Sequence, residues 1–470
     1  MNWSSKLKPG IELEGKRVLV VGLARTGIAT ALFCAAHRAI VTATEGRPES
    51  EVNEAAAKLR AAGCNIELGG HREETFLAQD LIIPSPGVSP TLPQLQAARA
   101  AQIPIWSEIE LAWRFLRGKL IAVTGSNGKT TTTALVGHIF ESAGLPTIVA
   151  GNIGTPLISR VSETSDSSVT VLEASSFQLE LIDQFRPDIA LLLNVTPDHL
   201  DRHPSLEAYA KAKARIFENQ VETDAAILNA DDEGAQQLTP VRPRVFWFSR
   251  TKRVASGIFL RDDQVILRRD GDETVLLKRA DIGLRGEHNV ENVMAAAGAA
   301  FLAGVAPRTI AGAVKSFAAV EHRLEFVAEI NGVSYYNDSK ATNVDATLKA
   351  LDAFPGNLLV ILGGKDKGGD FTLLRDALRK HAKQALLIGA ASEKIATQIA
   401  GSVPVETQGT IERAVTRAAE IAKPGDTVLL APACASFDQF QNYEHRGRVF
   451  KQRVRQLQEE FAAGGRAKAS

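Results

Sequence analysis

A chain of 470 residues with ordinary apolar content exceeds what one hydrophobic core usually holds, so two or three domains are expected. Lys plus Arg and Asp plus Glu both total 54, without a polybasic run, which argues against a sequence-independent nucleic-acid binder. Residues 1–15 lack an apolar h-region, no segment approaches the ~20 apolar residues of a membrane span, and Cys34, Cys64 and Cys434 are scattered without CxxC spacing; a cytoplasmic protein with no disulfide framework or zinc site is expected.

From Arg17 the chain reads as a strand, Val18–Val21, a turn Gly22-Leu23-Ala24-Arg25-Thr26-Gly27, a helix to about His37, and a second strand from Ala39 to Ala43 followed by Glu45. This βαβ opening departs from the dinucleotide fingerprint because its middle glycine, the one that lets backbone touch a pyrophosphate, is Ala24. Glu45 stands where a ribose-binding acid would, and reads equally as a solvated surface acid. Asp80–Ile83 is a strand ending in Pro84-Ser85-Pro86-Gly87, either a simple turn or one whose Ser85 and Gly87 present polar groups to a ligand. Pro104–Glu108 reads as the last short strand of this unit, with a boundary near Ser107.

Leu120–Val123 is a buried parallel strand, and Thr124-Gly125-Ser126-Asn127-Gly128-Lys129-Thr130-Thr131 runs from it into an apolar-periodic helix ending at Gly144. Free N–H groups at a helix N-terminus collect anions, Gly125 and Gly128 let backbone approach phosphates, Lys129 adds charge and Thr130 offers a hydroxyl to Mg²⁺. The first glycine of the general P-loop pattern falls at Val123, so the match is incomplete; nucleotide triphosphate binding is nevertheless expected. Two more strands end in polar tips: Val169–Leu172 in Glu173, and Ile189–Leu193 in Asn194 and on to Asp198-His199. Ligands lie off the carboxyl ends of such strands, so Glu173 and His199 are candidate Mg²⁺ ligands. Tyr209–Gln220 reads as a helix whose Lys211, Lys213 and Arg215 form a solvated basic face. Val245–Lys278 suggests a β-rich insertion packed on the sheet. Asn289 and Asn292, three apart before an alanine-rich helix from Val293, could face a base together, although capping explains one of them equally well.

A third α/β part starts near Val320. Val333–Tyr336, Leu358–Leu362, Leu386–Ile388 and Val428–Leu430 are its strands. Three of their tips, Asn337–Asn343, Gly363–Gly369 and Pro432–Asp438, are rich in glycine, serine or threonine, and lysines on the first two would meet carboxylate or phosphate groups.

Taken together, Gly125–Thr130, Gly151-Asn152-Ile153-Gly154, Glu173–Leu179, Asn194–Asp201, His322-Arg323-Leu324-Glu325 and Asn337–Asn343 resemble the Mur ligases, the ATP-dependent amide-forming ligases of peptidoglycan precursor synthesis. The resemblance runs in order along nearly the whole chain. Within the family, Ser175–Glu180, Asp338–Asn343 and Pro432–Phe440 look most like the D-glutamate-adding branch, and the Asp-Asn-Pro-Arg expected of the diaminopimelate-adding branch is absent.

The resemblance implies an α/β fold of three domains: a Rossmann-like UDP-sugar-binding domain (1–107), a central P-loop ATPase domain with a small β-rich insertion (108–319), and a Rossmann-like domain carrying the amino-acid site and part of the ATP site (320–470). It implies that Gly22, Leu23, Thr26, Glu45, Ser85, Gly87 and Asn152 hold UDP-N-acetylmuramoyl-L-alanine. Gly125, Ser126, Asn127, Gly128, Lys129, Thr130, Thr131, Asn289, Asn292, Arg323, Asp338 and Lys340 would hold ATP. Two Mg²⁺ ions are implied, one at Thr130 and Glu173, the other at His199 and a carbamylated Lys213, with Lys129, Asn152, Glu173, His199 and Lys213 as the catalytic set. Thr342, Lys367, Ser436 and Tyr443 would surround D-glutamate. The Gly363–Gly369 loop also carries Lys365, and Asp370-Phe371 downstream selects Lys367. A monomer is expected, with hinge closure near Ser107 and Val320. Folylpolyglutamate synthase shares the architecture but has no use for a nucleotide-sugar domain. A P-loop switch ATPase leaves the third part's lysine loops unexplained, and a nicotinamide dehydrogenase leaves Lys129 idle.

Overall fold

In the computed structural model, residues 8, 10–152, 154–199, 202–318 and 320–467 are described. Of the motif positions above, Ile153, Leu200 and Asp201 lie outside them, as does Ala319 at the expected second boundary. The chain divides into two compact units, one of Met1–Val195, Glu207–Lys278 and Val293–Val314, the other of Thr196–Leu206, Arg279–Asn292 and Lys315–Ser470.

The first unit holds two sheets. One comprises β1 (Arg17–Val21), β2 (Ile40–Glu45), β3 (Asn65–Leu68) and β4 (Leu81–Pro84), all parallel, in the order β3-β2-β1-β4. The second is nine-stranded, formed by β5 (Lys119–Thr124), β6 (Thr147–Gly151), β7 (Val169–Glu173), β8 (Ile189–Leu192), β9 (Ala225–Asn229), β10 (Arg244–Ser249), β11 (Gly257–Arg261), β12 (Gln264–Arg269) and β13 (Asp272–Lys278). Its order is β13-β12-β11-β10-β9-β8-β5-β7-β6. The β-rich stretch expected over 245–278 is present, and it extends this sheet edge to edge instead of lying on its face, with β12 and β13 antiparallel. β5 is central and buried on both faces, which is why its sequence is a continuous apolar run.

The second unit holds β14 (Glu325–Ile330), β15 (Val333–Asn337), β16 (Leu358–Gly363), β17 (Ala382–Ile388), β18 (Val405–Gly409) and β19 (Thr427–Leu430), in the order β14-β15-β19-β16-β17-β18. Only β14 runs antiparallel to its neighbour. Apolar clusters fill both faces, with Leu358, Val360, Leu362 and Leu429 on one and Leu359, Ile361 and Leu430 on the other.

The expected strand at Pro104–Glu108 reduces to one bridge, Ile82 with Ile105, before Ser107 opens the helix Glu108–Phe115. Cys34, Cys64 and Cys434 are buried thiols. No helix among the described residues is long and apolar enough to cross a membrane.

Candidate active site

Strand register builds the site. Val123 pairs with Glu173 across β5 and β7, and Gly151 pairs with the same Glu173 across β6 and β7, so three strand tips end at one level. Between β5 and the helix Lys129–Ser142 lies the glycine loop, with Gly125 at φ 153° and Gly128 at φ 87°, backbone that side chains other than hydrogen rarely adopt. Lys129 Nζ folds back to donate to Gly125 O at 2.8 Å and Ser126 O at 2.9 Å. Thr130 Oγ1 donates to Glu173 Oε2 at 2.8 Å, and Asn152 Nδ2 lies 3.4 Å from Glu173 Oε1. Glu173 is 3% exposed. A hydroxyl beside a buried carboxylate at a helix N-terminus is an all-oxygen donor set, which suits Mg²⁺. Thr131 is buried and its hydroxyl makes no hydrogen bond within the protein.

The basic face expected on the helix at 209–220 divides in two. Lys211 is exposed and paired with Glu207, whereas Lys213 is 1% exposed. Lys213 Nζ donates to Gly125 O at 2.9 Å and sits 4.2 Å from the centroid of the Tyr209 ring. The helical period separates two lysines that the sequence alone places on one solvated stretch.

On the first sheet, Val21 pairs with both Thr44 and Pro84, which gathers the Gly22–Gly27 turn, Glu45 and Ser85. Gly22 has φ 92°, and a Cβ on Gly27 would stand 1.9 Å from Gly22 O, so the turn needs both glycines. Ser85 Oγ donates to Gly22 O at 3.0 Å. Glu45 is buried, correcting the surface alternative: Leu23 N–H donates to its Oε2 at 2.8 Å and Arg47 Nη2 at 3.0 Å. Burial pushes this carboxyl up, but Arg47 and the two N–H donors outweigh it and hold the pKa at about 2. Arg25 Nη1 reaches Gly154 O at 2.6 Å, joining this turn to the Gly151–Gly154 segment. Thr26 is half-buried and Gly87 exposed.

In the second unit, Asn337 and Ile361 both pair with Leu430, so the tips of β15, β16 and β19 meet. A cavity of about 340 Å³ is lined by Asp198, His199, Thr342, Asn343, Lys367 and Leu373, among others. Lys367 Nζ donates to Asp198 Oδ1 at 2.9 Å and Asn343 Nδ2 to Asp198 Oδ2 at 2.8 Å. Lys365 is exposed and absent from that lining, so of the two loop lysines it is Lys367 that faces the cavity. His199 adopts φ 54° and its Nε2 lies 3.6 Å from Asp198 Oδ2. Ser436 and Tyr443 do not line the cavity; Ser436 is buried, and Tyr443 meets Lys340, whose Nζ is 5.3 Å from the ring centroid. Arg323 Nη1 stands 3.9 Å from Asp338 Oδ1. Burial pushes Asp338 up to about 6 against Arg323, the Leu324 N–H and Lys340. Asn292 Nδ2 donates to Asn289 Oδ1 at 2.9 Å and Asn289 Nδ2 to Arg285 O at 2.6 Å, so the two amides do come together on the helix Glu287–Leu302.

Asp198 carries a pH dependence. Burial alone would raise its carboxyl, but Lys367, His199 and Asn343 hold it at about 2. The folded value lies below the unfolded ~3.9, so the stabilisation is complete above about pH 4 and is lost as pH falls toward 2, on the order of 2 kcal/mol. Urea unfolding of wild type and Asp198→Asn should therefore show a stability gap at neutral pH that narrows in acid. A gap unchanged down to about pH 2.5 would contradict this account.

Three residues that sequence reasoning passed over, Asn194, Asp198 and Arg446, shape these tips. Asn194 and Asp198 were visible only as parts of a run. Arg446, fully buried, donates to Ser339 Oγ and O and to Cys434 O, tying two tips together from a helix whose many basic residues gave it no separate signal. Glu321, His322 and Glu325 are spaced as metal ligands, but Lys451 Nζ already donates to both carboxylates at 2.6 and 2.8 Å.

The family model for the MurD-like N-terminal domain of Mur ligases matches residues 16–107, that for the Mur ligase middle domain 123–300, and that for the Mur ligase glutamate ligase domain 322–434. A UDP-N-acetylmuramoylalanine--D-glutamate ligase of Koribacter versatilis is 52% identical over 451 residues, covering 96% of this chain and 99% of the relative. One of the same name from Geotalea daltonii is 46% identical over 448 residues, covering 95% and 99%. Among solved structures, UDP-N-acetylmuramate-alanine ligase MurC from Thermotoga maritima matches with TM-score 0.59 at 21% identity, covering 94% of this chain and 100% of that one. MurF ligase from the same organism, in complex with ADP, matches with TM-score 0.60 at 17% identity, covering 89% and 96%. At such identities these two speak for the fold.

Proposed function

This chain belongs to the Mur ligase family, and from that premise we propose that it joins D-glutamate to UDP-N-acetylmuramoyl-L-alanine at the expense of ATP. The full-length identity to D-glutamate ligases supports the substrates. The observation that carries the chemistry is the meeting of Lys129, Thr130 and Glu173 at the tips of β5 and β7.

The sugar nucleotide's carboxylate attacks the γ-phosphorus of ATP, giving an acyl phosphate and ADP. The amino group of D-glutamate then attacks the acyl carbon, an amide bond forms, phosphate leaves and the nitrogen releases a proton. Anionic reactants repel one another, so neutralisation is the main demand. Lys129, released from its loop carbonyls, serves the β- and γ-phosphates. Thr130 and Glu173 would hold Mg²⁺, which supplies charge neutralisation at the phosphoryl oxygens. The resemblance assigns a second Mg²⁺ to His199 and carbamylated Lys213. Asn152 addresses the reacting end of the sugar substrate, and the Gly22–Gly27 turn, Glu45, Ser85 and Gly87 its UDP part. Glu45 acts there by holding the Leu23 N–H in place. Arg323, Asp338, Lys340, Asn289 and Asn292 belong to the nucleotide, and Thr342, Lys367, Ser436 and Tyr443 to D-glutamate, whose carboxylate would compete with Asp198 for Lys367.

The deciding experiment is phosphate release with ATP, Mg²⁺ and UDP-N-acetylmuramoyl-L-alanine, offering D-glutamate, L-glutamate, diaminopimelate or L-lysine separately. Release with D-glutamate alone, with a product one glutamyl residue heavier, is expected. Release indifferent to every amino acid would sink the ligase reading. The boundaries near Ser107 and Val320, a cytoplasmic monomer and domain closure belong to the same proposal. Small-angle scattering should show compaction when nucleotide and sugar substrate are added together, and an unchanged radius of gyration would remove closure from it.

A further inference from the structure

The side chain of Asn194 grips one residue of the phosphate loop through both of its polar groups. Leu192 pairs with Thr124 across β5 and β8, so the next residues run alongside the loop. Leu193 N–H donates to Thr124 O at 3.0 Å, and Ser126 N–H donates to Asn194 O at 3.0 Å. The Asn194 side chain is buried; Asn127 N–H donates to its Oδ1 at 2.8 Å, and its Nδ2 donates to Asn127 O at 3.2 Å. An N–H must meet an oxygen and a carbonyl must meet a donor, so the two contacts fix a single orientation of the amide. Ionised aspartate, of the same shape, would lack the donor, and serine would offer one atom for two contacts.

The N–H groups of Ser126 and Asn127 are thereby turned toward Asn194. Contact with phosphate then falls to the N–H groups from Gly128 onward, at the start of the helix, together with Lys129. The loop's anion-binding shape depends on Gly128 keeping its left-handed φ of 87°, one residue past the gripped backbone.

We infer that Asn194 is a positioning residue for ATP: it holds the Asn127 backbone so that the Gly125–Gly128 turn is set for phosphate before nucleotide arrives. The inference rests on the reading of this loop as the ATP phosphate site.

Steady-state kinetics and ATP titration calorimetry on full-length wild type, Asn194→Ala and Asn194→Asp test it. The alanine variant, losing two buried hydrogen bonds, should raise the KM for ATP about tenfold to hundredfold. The KM values for sugar nucleotide and D-glutamate should stay near wild type, while the Tm falls by a few degrees because two buried backbone groups of Asn127 lose their partners. The aspartate variant should show the same rise near pH 8 and recover as its carboxyl protonates in acid, because the proton restores a donor to Asn127 O; wild type should show no such recovery. An unchanged ATP KM in Asn194→Ala, or an equal rise for all three substrates, overturns the inference. Wild type that binds no ATP overturns the phosphate-site reading instead, so the two failures are told apart. Should the alanine variant not fold, the pH series on the aspartate variant decides alone.

Discussion

Glu173→Gln should lower kcat about 10²–10³-fold while leaving the protein folded. The glutamine is isosteric and its oxygen still accepts from Thr130 Oγ1, so the 2.8 Å contact survives; its amide nitrogen forfeits only the long 3.4 Å contact with Asn152 Nδ2, and backbone pairing keeps the tips of β5, β6 and β7 in register. What is lost is one negative charge at a buried position 3% exposed, where neighbouring dipoles are fixed and water cannot replace it. The loss falls on the transition state, because charge migrates across the phosphoryl oxygens there and the Thr130–Glu173 pair is where Mg²⁺ would be held to meet it. The KM for D-glutamate should change little, since the residues assigned to that substrate lie on other elements. Midpoints from thermal unfolding should match wild type or rise slightly, a buried carboxylate having been neutralised. The measurement is kcat across an Mg²⁺ titration beside a melting curve. Wild-type kcat at saturating Mg²⁺ would mean that Glu173 serves the loop's structure and no more.

Much of this geometry was legible because it sits where strands end. Apolar runs such as Leu120–Val123 and Ile189–Leu192 locate central strands, and the polar residues after them are then neighbours by register, as Glu173 is of Val123. Of the strands that escaped notice, β3 (Asn-Ile-Glu-Leu), β14 and β18 (Val-Glu-Thr-Gln-Gly) lie at sheet edges and bury few side chains, so they leave no apolar run to read, whereas β9 (Ala-Ala-Ile-Leu-Asn) is interior and buried, and its short apolar run is as compatible with a helix as with a strand. The expected β-rich insertion illustrates a different limit. Richness in strand formers marks 245–278 as β structure, but whether its strands stack on a sheet or extend it depends on which backbone edge is unpaired, and residue composition does not encode that. Among site residues, Glu45 and Asn194 show why side chain–backbone contacts stay hidden. Each acts on a peptide N–H 22 or 67 positions away, and backbone partners have no sequence identity to recognise. Lys367 and Asp198 pair across 169 positions, which topology supplies and periodicity cannot.

Activity should depend on carbon dioxide through Lys213. The lysine is 1% exposed, and its ammonium lies against Gly125 O and over the Tyr209 ring. A cation held beside the phosphate loop would draw phosphate but repel Mg²⁺, so an unmodified Lys213 is a poor candidate for a metal ligand. Carbamylation reverses that sign. The neutral amine nitrogen attacks the carbon of CO₂, an N–C bond forms, a proton passes to water, and the side chain ends in an anionic carboxylate-like group one unit longer. Such a group supplies hard oxygen donors of the kind Mg²⁺ prefers. Enzyme equilibrated in CO₂-free buffer should lose most of its activity and regain it on adding bicarbonate. With ¹³C-labelled bicarbonate, a carbamate resonance should appear in wild type and be missing from Lys213→Met. That variant should keep its fold, since the aliphatic stem still packs beside Tyr209, and should lose about 10²-fold or more in kcat while retaining ATP binding within about tenfold. A wild-type enzyme that is fully active without CO₂ and shows no carbamate signal would leave Lys213 as a cation bracing Gly125 and would remove it from the proposed metal ligands.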